Sequence, residues 1–402
     1  MQLRNSLHGG SRHRLLTSVL SKWRSKQRWA LPENCAKCAQ PADDAAVKPE
    51  GEVSDPQPEG EVSDPQPERE ASDPQPEGEV SDPQPEGKVS DPQPKTALTS
   101  LIGGNETAKD VSTAEELTAA IADVNFDTVR LASDINIDTT LTVNRTVTLD
   151  LNGHVLKYGS ANNGSVIVVK DGGQLTIEDS NTSKPSHRFN PNGKLWVLDE
   201  ASGTETVTGG VITGGTGYPF TLTSSTVVYY GGGVYIASGG QLTMTGGNII
   251  GCSAEFGGGV CIYPRQNGEQ IQFSMSGGSI IGCVASDLGG GVCAYGTFKM
   301  SGPAVIRSCA VESADNFVCG GGVYVDGSFE MSGEAKIKGC QAISDSANGG
   351  GVFVNSSRSF VMSNEAKIEN CQAISNSSRG RGEGGGVYLA NNTKFTLSGS
   401  AV

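Results

Sequence analysis

The chain has 402 residues, of which 55 are glycine and only 18% are charged. Glycine is about twice as frequent as in an average protein, which favours a fold of short strands and many turns over a helical bundle. No stretch approaches the roughly 18 to 20 consecutive apolar residues of a membrane-spanning helix, so we predict no transmembrane segment.

Charge and proline divide the chain into three regions. Residues 1–40 carry eight Lys or Arg and one acid, so we expect a basic segment that is disordered or a short amphipathic helix. Its apolar run, Leu15–Leu20, is too short for a recognisable signal peptide. Residues 41–95 carry sixteen acids and twelve of the eighteen prolines. A nine-residue unit, first complete at Ser54–Val62, recurs there without an apolar face, which predicts a disordered acidic linker.

The third region, residues 96–402, begins with a helical signal. Two overlapping pairs have the spacing of a capping box, namely Ser112 with Glu115 and Thr113 with Glu116. Apolar residues then recur on one face from Leu117, which predicts a capping helix over 114–122. Short apolar or alternating runs predict strands at Thr128–Leu131, Leu141–Val143, Val147–Leu151, Val166–Val169 and Leu175–Ile177.

A repeat becomes explicit from residue 231. The signature Gly-Gly-Gly-Val starts at residues 231, 257, 289, 320, 349 and 384. Each signature begins a first strand, a second strand of the type Phe-x-Met follows, and a third strand ends at a cysteine. One such repeat cannot close a core alone and must stack on its neighbours. The sequence therefore predicts an all-β parallel solenoid with three strands per coil and about 4.8 Å between coils.

Alternation along the strands predicts which side chains point inward. Aliphatic residues such as Val234 and Ile236, and the Phe-x-Met pairs such as Phe329 and Met331, are expected to form two inner walls. The cysteines at the ends of the third strands are expected to form a buried column of thiols. Its members are Cys252, Cys283, Cys309, Cys340 and Cys371.

These motifs resemble a known class of proteins. Gly-Gly-Gly-Val-Tyr-Ile at 231, Met-Ser-Gly-Gly at 275, Leu-Asp-Leu-Asn-Gly at 149 and the helix at 114–122 look like those of right-handed parallel β-helix proteins of the pectin-lyase-like class. They are similar in particular to repetitive surface proteins and adhesins of bacteria. The resemblance covers about residues 110–402. It implies the fold and an extracellular or cell-surface location, but the class includes both polysaccharide-cleaving enzymes and inert stalks.

A search for catalytic residues argues against an enzyme. Glu330 has no acidic counterpart in the other repeats, where Thr243, Ser274, Lys299, Val361 and Thr396 take its place. Other acids fall in turns, where we expect solvated side chains: Asp179, Asp199, Glu200, Asp287 and Asp315. His154 and His187 are isolated and are expected to be turn or surface residues. We therefore predict no catalytic residue, no metal site and no cofactor.

The residue after each signature suggests a binding surface. These residues are Tyr235, Cys261, Cys293, Tyr324, Phe353 and Tyr388, and alternation places them on the outside of the solenoid. The hypothesis is that the exposed aromatic residues among them, together with variable loops beside them, bind sugar rings or a protein. The alternative is that longer loops cover them. Cys261 and Cys293, on adjacent coils, are the candidates for a disulfide bond.

These features together predict a non-enzymatic bacterial surface or secreted protein, an adhesin whose disordered stalk presents a β-helix. Its partner would be a host or matrix glycan or protein, or the cell wall. A polysaccharide lyase or glycoside hydrolase and a purely structural stalk are the alternatives. The acidic composition argues against nucleic acid. The sequence stops within a second strand after Phe395, so we expect a truncated β-helix with an end that favours end-to-end self-association.

Overall fold

The computed structural model describes residues 106–182, 186–223, 226–263, 272–314 and 317–402. The basic segment and the acidic linker lie outside these residues and remain predictions. The described residues contain one helix, α1 (Ala114–Ala122), and 39 strands that form five sheets. Strands are numbered here in chain order.

Three parallel sheets enclose the core, and they correspond to the three strands predicted for each coil. Sheet 1 contains β4 (Leu141–Val143), β7 (Ile167–Val169), β15 (Val234–Ile236), β19 (Val260–Ile262), β23 (Val292–Ala294), β28 (Val323–Val325), β33 (Val352–Val354) and β38 (Val387–Leu389). Sheet 2 contains β1 (Glu106–Val111), β2 (Phe126–Leu131), β5 (Thr146–Asp150), β8 (Gln174–Glu178), β16 (Gln241–Met244), β20 (Gln272–Met275), β24 (Thr297–Met300), β29 (Ser328–Met331), β34 (Ser359–Met362) and β39 (Lys394–Leu397). Sheet 3 contains β3 (Ile135–Ile137), β6 (Val155–Tyr158), β12 (Val211–Thr213), β17 (Asn248–Ile250), β21 (Ser279–Ile281), β25 (Val305–Arg307), β30 (Lys336–Lys338) and β35 (Lys367–Glu369).

Two further sheets lie outside the three that enclose the core. The outer sheet contains β13 (Tyr218–Thr223), β14 (Thr226–Tyr230), β18 (Ser253–Phe256), β22 (Val284–Leu288), β26 (Ala310–Glu312), β27 (Phe317–Cys319), β31 (Gln341–Ser344), β32 (Ser346–Asn348), β36 (Gln372–Ser375) and β37 (Arg381–Glu383). The insert sheet contains β9 (Ser186–Asn192), β10 (Leu195–Leu198) and β11 (Glu205–Thr208), all antiparallel.

Coils stack in register, so equivalent residues of successive repeats lie directly above one another. Val292 of β23, for example, pairs with Val323 of β28, which pairs with Val352 of β33. The predicted inner walls are confirmed, because these aliphatic side chains and the Phe-x-Met pairs are buried in one continuous core. The rings of Phe298, Phe329 and Phe360 stack with centroid distances of 4.9 and 4.8 Å.

The first glycine of each signature makes the sharp corner that leads into sheet 1. Its φ lies between 54° and 72° in all six signatures, in the left-handed region that side chains other than glycine's rarely adopt. Gly320, for example, packs its Cα against the backbone of Val323, where a Cβ has no room. The glycine triplet is therefore a backbone requirement of the coil.

The predicted capping helix is confirmed. Thr113 is the N-cap, and its side chain accepts a hydrogen bond from the backbone N–H of Glu116 at 3.2 Å. The Glu116 carboxylate accepts in turn from the backbone N–H of Ser112 at 2.8 Å, one residue before the position of an ideal capping box. Leu117 and Ile121 are buried at one end of the core. Arg145 of the second coil donates to the carbonyl of Ile121 at 2.7 Å, which satisfies a helix C-terminal carbonyl.

We expect Phe329→Ala to destabilise the solenoid by about 3 to 5 kcal/mol, because it removes a fully buried ring that stacks on both neighbours. Chemical unfolding followed by circular dichroism measures this change. The adjacent Glu330→Ala, which alters an exposed side chain on the same strand, is the control and should cost under about 1 kcal/mol. Equal effects of the two substitutions would contradict the assigned alternation.

Candidate functional site

The aromatic row predicted as a binding surface does face outward from sheet 1, but the outer sheet covers it. Tyr235, Tyr324 and Phe353 are only 4%, 1% and 1% exposed. Tyr388, in the last coil, keeps partial exposure and stacks on Phe353 with a centroid distance of 5.2 Å. The predicted exposure of the row is therefore wrong for three of its four aromatic residues, and a binding role for Tyr388 stays a prediction.

The cover consists of strands that follow the third strand of each coil and fold back over sheet 1. Tyr230 and Phe256 of the outer sheet stack with a centroid distance of 5.1 Å, and Tyr230 also stacks on Tyr235 at 5.8 Å. Burial raises the pKa of both the Tyr230 and the Tyr235 hydroxyls above the ordinary value of tyrosine. The result is a second hydrophobic cluster outside the inner core.

Cys261 and Cys293 pair in register on adjacent strands of sheet 1, as the repeat predicted. Both are buried thiols, and no disulfide joins any of the cysteines within the described ranges. The predicted disulfide is thus not formed. The physical reason is that in-register neighbours of a parallel sheet project their side chains in the same direction, which is poor geometry for an S–S bond.

The column of five cysteines at the ends of sheet 3 is confirmed as a stack of apolar thiols. Cys252, Cys283, Cys309 and Cys340 are buried, and Cys371 in the last coil is partly buried. The Sγ of Cys309 hydrogen-bonds to the carbonyl of Ile280 in the preceding coil at 3.6 Å. Burial raises the pKa of the Cys309 thiol. These groups pack between coils as small hydrophobic residues.

The outer face of sheet 2 is the broad surface that the other described sheets leave open. Among the described elements outside sheet 2, α1 is the one with substantial contacts to the strands of this sheet, and these contacts are at the first coil. By contrast, the outer sheet covers sheet 1, and the insert sheet packs on the first half of sheet 3. We call the outward side chains of sheet 2 from β5 to β34 the polar face.

The polar face consists of three columns of mostly uncharged polar side chains. The first column contains Thr146, Gln174, Gln241, Thr297, Ser328 and Ser359. The second contains Thr148, Thr176, Thr243, Ser274, Lys299, Glu330 and Val361. The third, in the residue that follows each strand, contains Thr245, Ser276, Ser301, Ser332 and Ser363.

Contacts within these columns are few. Ser328 donates a hydrogen bond to the hydroxyl of Thr297 at 3.1 Å, and Thr146 donates to the amide oxygen of Gln174 at 3.4 Å. Lys299 and Glu330 form an ion pair at 3.1 Å. The glutamine side chains of the first column are exposed, and Thr176 and Thr243 of the second are partly exposed. Hydroxyl and amide groups therefore remain available in rows spaced by about 4.8 Å along the solenoid axis.

An acidic pair that the sequence analysis missed lies at the first coils of sheet 2. The third column begins there with Asp110, Arg130, Asp150 and Glu178, which are register partners on β1, β2, β5 and β8. The Arg130 guanidinium donates to Asp110 at 2.7 Å and lowers the pKa of that carboxyl. The residues equivalent to Glu330 belong to the second column of later repeats. Comparing acids at that position therefore does not reveal the pair in the third column.

Asp150 and Glu178 have different surroundings. Asp150 is 3% exposed and accepts hydrogen bonds from the backbone N–H groups of Asn152 and Ser180, both at 2.9 Å, and from the Ser180 hydroxyl at 2.7 Å. Glu178 is more exposed, and burial followed by the charge of Asp150 raises its pKa above the usual value. One carboxyl is thus held by turn donors, and its neighbour has a pKa above the usual value.

Two other residues expected at the surface are buried near the insert sheet. His187 lies between the Glu200 carboxylate, 2.8 Å from its Nδ1, and the Gly153 carbonyl, 3.0 Å from its Nε2. Asp179 accepts from the backbone N–H groups of Gly153 and Gly210, both at 2.7 Å. The expectation of solvated side chains is wrong here, because His187 attaches the insert to Gly153 of the coil beneath it, and Asp179 joins the backbone at Gly153 and Gly210.

In the part of the chain that the structure describes, no three His, Cys, Asp or Glu side chains are placed to hold a metal ion. In the same ranges, no helix has the length and apolarity needed to cross a bilayer.

Comparison with known proteins agrees with this geometry. Residues 209–402 match the family of the right-handed beta helix region. This part of the chain is therefore a right-handed parallel β-helix, as the resemblance implied. No curated protein and no solved structure matches the chain. The family includes enzymes and non-enzymes.

The acidic pair predicts a pH-dependent stability. Because the folded state raises the pKa of Glu178, it binds protons more tightly than the unfolded state, and stability falls as pH rises through and above the usual value of 4.5. We expect Glu178→Gln to raise Tm at about pH 7 and to leave it unchanged below about pH 4. Thermal unfolding across this range is the measurement, with exposed Glu312→Gln as the control. A lower Tm for Glu178→Gln at neutral pH would show that the ionised carboxylate is stabilising.

Proposed function

We propose that this β-helix is a non-enzymatic binding rod that recognises a glycan through the polar face of sheet 2. The observation that carries the proposal is that this face is open among the described residues and presents rows of hydroxyl and amide groups over seven successive strands, β5 to β34. It replaces the aromatic row as the recognition surface. In the context of the resemblance to bacterial surface proteins, the proposed role is adhesion.

The chemistry of the face suits sugars. Hydroxyl and amide groups both donate and accept hydrogen bonds, as sugar hydroxyls do. The rows repeat at the coil spacing, so a repeating polymer meets the same group again at each step. Many weak contacts of this kind add up to a high avidity without any deep pocket.

A glycan fits this face better than a protein partner does. Protein interfaces concentrate their binding energy in aromatic and apolar residues at the centre of the contact. The polar face has Val361 as its one apolar member, at an end strand, and its Lys299–Glu330 pair leaves the central strands close to neutral. A protein ligand remains an outcome of the test below.

The location and the remaining partners belong to the same proposal. We propose an extracellular or cell-surface protein of bacteria, with the acidic repeat as a spacer that holds the β-helix away from its attachment surface. Host or matrix glycan, or cell-wall polysaccharide, is the proposed ligand. The proposal includes end-to-end self-association of the solenoid and excludes nucleic acid, since the acidic composition repels phosphate.

The paired substitution Thr176→Val and Thr243→Val tests the polar face. Valine keeps the shape and the strand preference of threonine but removes the hydroxyl. On a glycan array with the full chain, we expect binding of the wild type and a loss of at least about tenfold in the variant, as two sugar-binding hydrogen bonds are removed. Thr139→Val with Thr142→Val, exposed and outside sheet 2, is the matched control and should bind like the wild type.

Two results would contradict this proposal. Unchanged glycan binding by the Thr176/Thr243 variant would place the site elsewhere. Absence of glycan binding together with capture of a purified matrix protein would replace the glycan by a protein ligand.

A second candidate function is glycoside hydrolysis at the acidic pair. The observation that favours it is a carboxyl with a raised pKa, Glu178, beside a second carboxyl, Asp150, at the edge of the same open face. A carboxyl group with a raised pKa next to a second carboxyl group is the arrangement of many glycosidases. Against it, Asp150 is buried and its oxygens are occupied by turn donors, so a substrate has poor access to it.

Release of reducing sugars or unsaturated products from neutral and acidic polysaccharides separates the two functions. The binding rod predicts no product from the wild type. Saturated reducing sugars that disappear in Glu178→Gln, while glycan binding is retained, would establish the hydrolase instead, and unsaturated products would establish a lyase. Product that persists in this variant would place the catalytic groups outside the acidic pair.

A further inference from the structure

The column of five thiols at the ends of the sheet 3 strands is a group of soft metal ligands that neither the polar face nor the acidic pair uses. Its members follow the third strand of successive coils: Cys252, Cys283, Cys309, Cys340 and Cys371. The strands before them pair in register, so that Ile249 pairs with Ile280 and Ile280 with Ile306. Equivalent residues of neighbouring coils are therefore about 4.8 Å apart.

The five cysteines leave their coils in the same way. Each follows a residue in the left-handed region, with φ between 54° and 62°: Gly251, Gly282, Ser308, Gly339 and Asn370. The sulfur atoms of the four later cysteines lie 3.6 to 3.9 Å from an isoleucine carbonyl oxygen of the preceding coil. Sulfur therefore occupies an equivalent place in each of these coils.

Neighbouring thiols are in contact, and backbone N–H groups point at them. The Cys283 sulfur accepts hydrogen bonds from the thiols of Cys252 and Cys309, and from the backbone N–H of Cys252. The Cys340 sulfur accepts in the same way from the thiols of Cys309 and Cys371, and from the backbone N–H of Cys309. N–H groups aimed at a sulfur atom stabilise a thiolate there, as they do at iron–sulfur sites.

We propose that the cysteine column binds soft monovalent cations such as Cu(I), each held in line between two thiolates of adjacent coils. A thiolate–metal bond is about 2.3 Å long in zinc sites, so two bonds in line span about 4.6 Å, close to the coil spacing of about 4.8 Å. Thiolate ligands favour soft ions such as Cu(I). Five thiols form at most two adjacent pairs, so the column provides ligands for two cations.

Two other uses of the column fit the geometry less well. A structural zinc ion takes four ligands, whereas the described residues place no three His, Cys, Asp or Glu side chains to hold one metal ion. A disulfide bond needs side chains that point towards each other, whereas in-register side chains project in the same direction. A two-coordinate cation requires neither arrangement. No metal site was predicted from the sequence, and the stacked thiols are the reason to propose one here.

Binding exchanges protons for the cation. Two neutral thiols release two protons to solvent and take up one Cu(I), which leaves one negative charge on each filled pair. Backbone N–H groups of the preceding coil face that charge. Because only the stacked coils bring the ligands together, we expect binding to be coupled to folding and to weaken as pH falls.

Counting bound copper in variants of the full chain tests the proposal. The reference chain carries Cys35→Ser and Cys38→Ser, which remove a CxxC pair outside the described residues, and Cys261→Ala, which breaks an in-register thiol pair on sheet 1. It is refolded without oxygen in the presence of Cu(I) held by bicinchoninate, and copper and protein are measured after desalting. We expect about two Cu(I) in its column.

Two matched double variants of the reference chain separate adjacency from the number of thiols. Cys283→Ala with Cys340→Ala leaves three thiols, none of them adjacent, and should bind no copper in the column. Cys252→Ala with Cys371→Ala also leaves three thiols, but these are consecutive and should bind about one Cu(I). The central substitution Cys309→Ala leaves two adjacent pairs and should still bind about two Cu(I).

Thermal unfolding and copper X-ray absorption give independent readouts. Loading with Cu(I) should raise the Tm of the reference chain, because a ligand of the folded state stabilises it. X-ray absorption should show two sulfur neighbours for each copper. Circular dichroism checks that every variant folds. If the Cys283/Cys340 variant does not fold, the Cys252/Cys371 variant should still lose one Cu(I), whereas Cys309→Ala should lose none.

Three results would overturn the proposal. These are equal copper content in the two double variants, equal copper content in the reference chain and the Cys283/Cys340 variant, and three or more sulfur neighbours for each copper. Glycan binding by the polar face should be the same in all these variants, because the column is buried between coils. Failure of the thiol site is therefore distinguishable from failure of the proposed function.

Discussion

The in-register stacking of coils is the constraint on which the rest of this structure depends. Each internal strand of the three core sheets pairs with the equivalent strands of the coils above and below, and the core strands of one coil do not pair with one another. A side chain whose size or polarity does not suit the core therefore disturbs the packing against both neighbouring coils. This explains why inward positions keep one residue type over many coils, as in the Phe329 column and the cysteine column.

The same stacking leaves outward positions free to differ, because they have no fixed volume to fill. Their properties then depend on what covers them. A row of aromatic residues becomes a second hydrophobic core where the outer sheet folds over sheet 1. Rows of threonine, serine and glutamine on sheet 2 stay accessible because no other described sheet packs on them. Lysines appear on sheet 3 where the insert sheet ends.

The proposed recognition surface follows from this division. The central strands of the polar face are close to neutral, because Lys299 and Glu330 balance each other there, so their specificity would come from hydrogen bonds repeated along a polymer. The acidic pair at Asp150 and Glu178 lies at the first coils of this face, where a hydrolase would need it, but Asp150 accepts hydrogen bonds from the turn that follows β5.

The sequence alone determined the class of fold, the helix at 114–122, the direction of the inner side chains and the stacked cysteines. These features depend on local periodicity and on a repeat whose register is set by identical residues, so a single sequence contains the information. The tertiary structure decided what the repeat does not encode. The segments after each cysteine vary in length and composition, so their pairing into an outer sheet over Tyr235, Tyr324 and Phe353 was not readable from the repeat. Burial of His187 and Asp179, pairing of Asp150 with Glu178 and the thiol state of Cys261 and Cys293 likewise depend on contacts between residues far apart in the chain. Exposure is a property of the whole assembly of coils and covering layers, and for that reason the candidate binding surfaces became clear only in three dimensions.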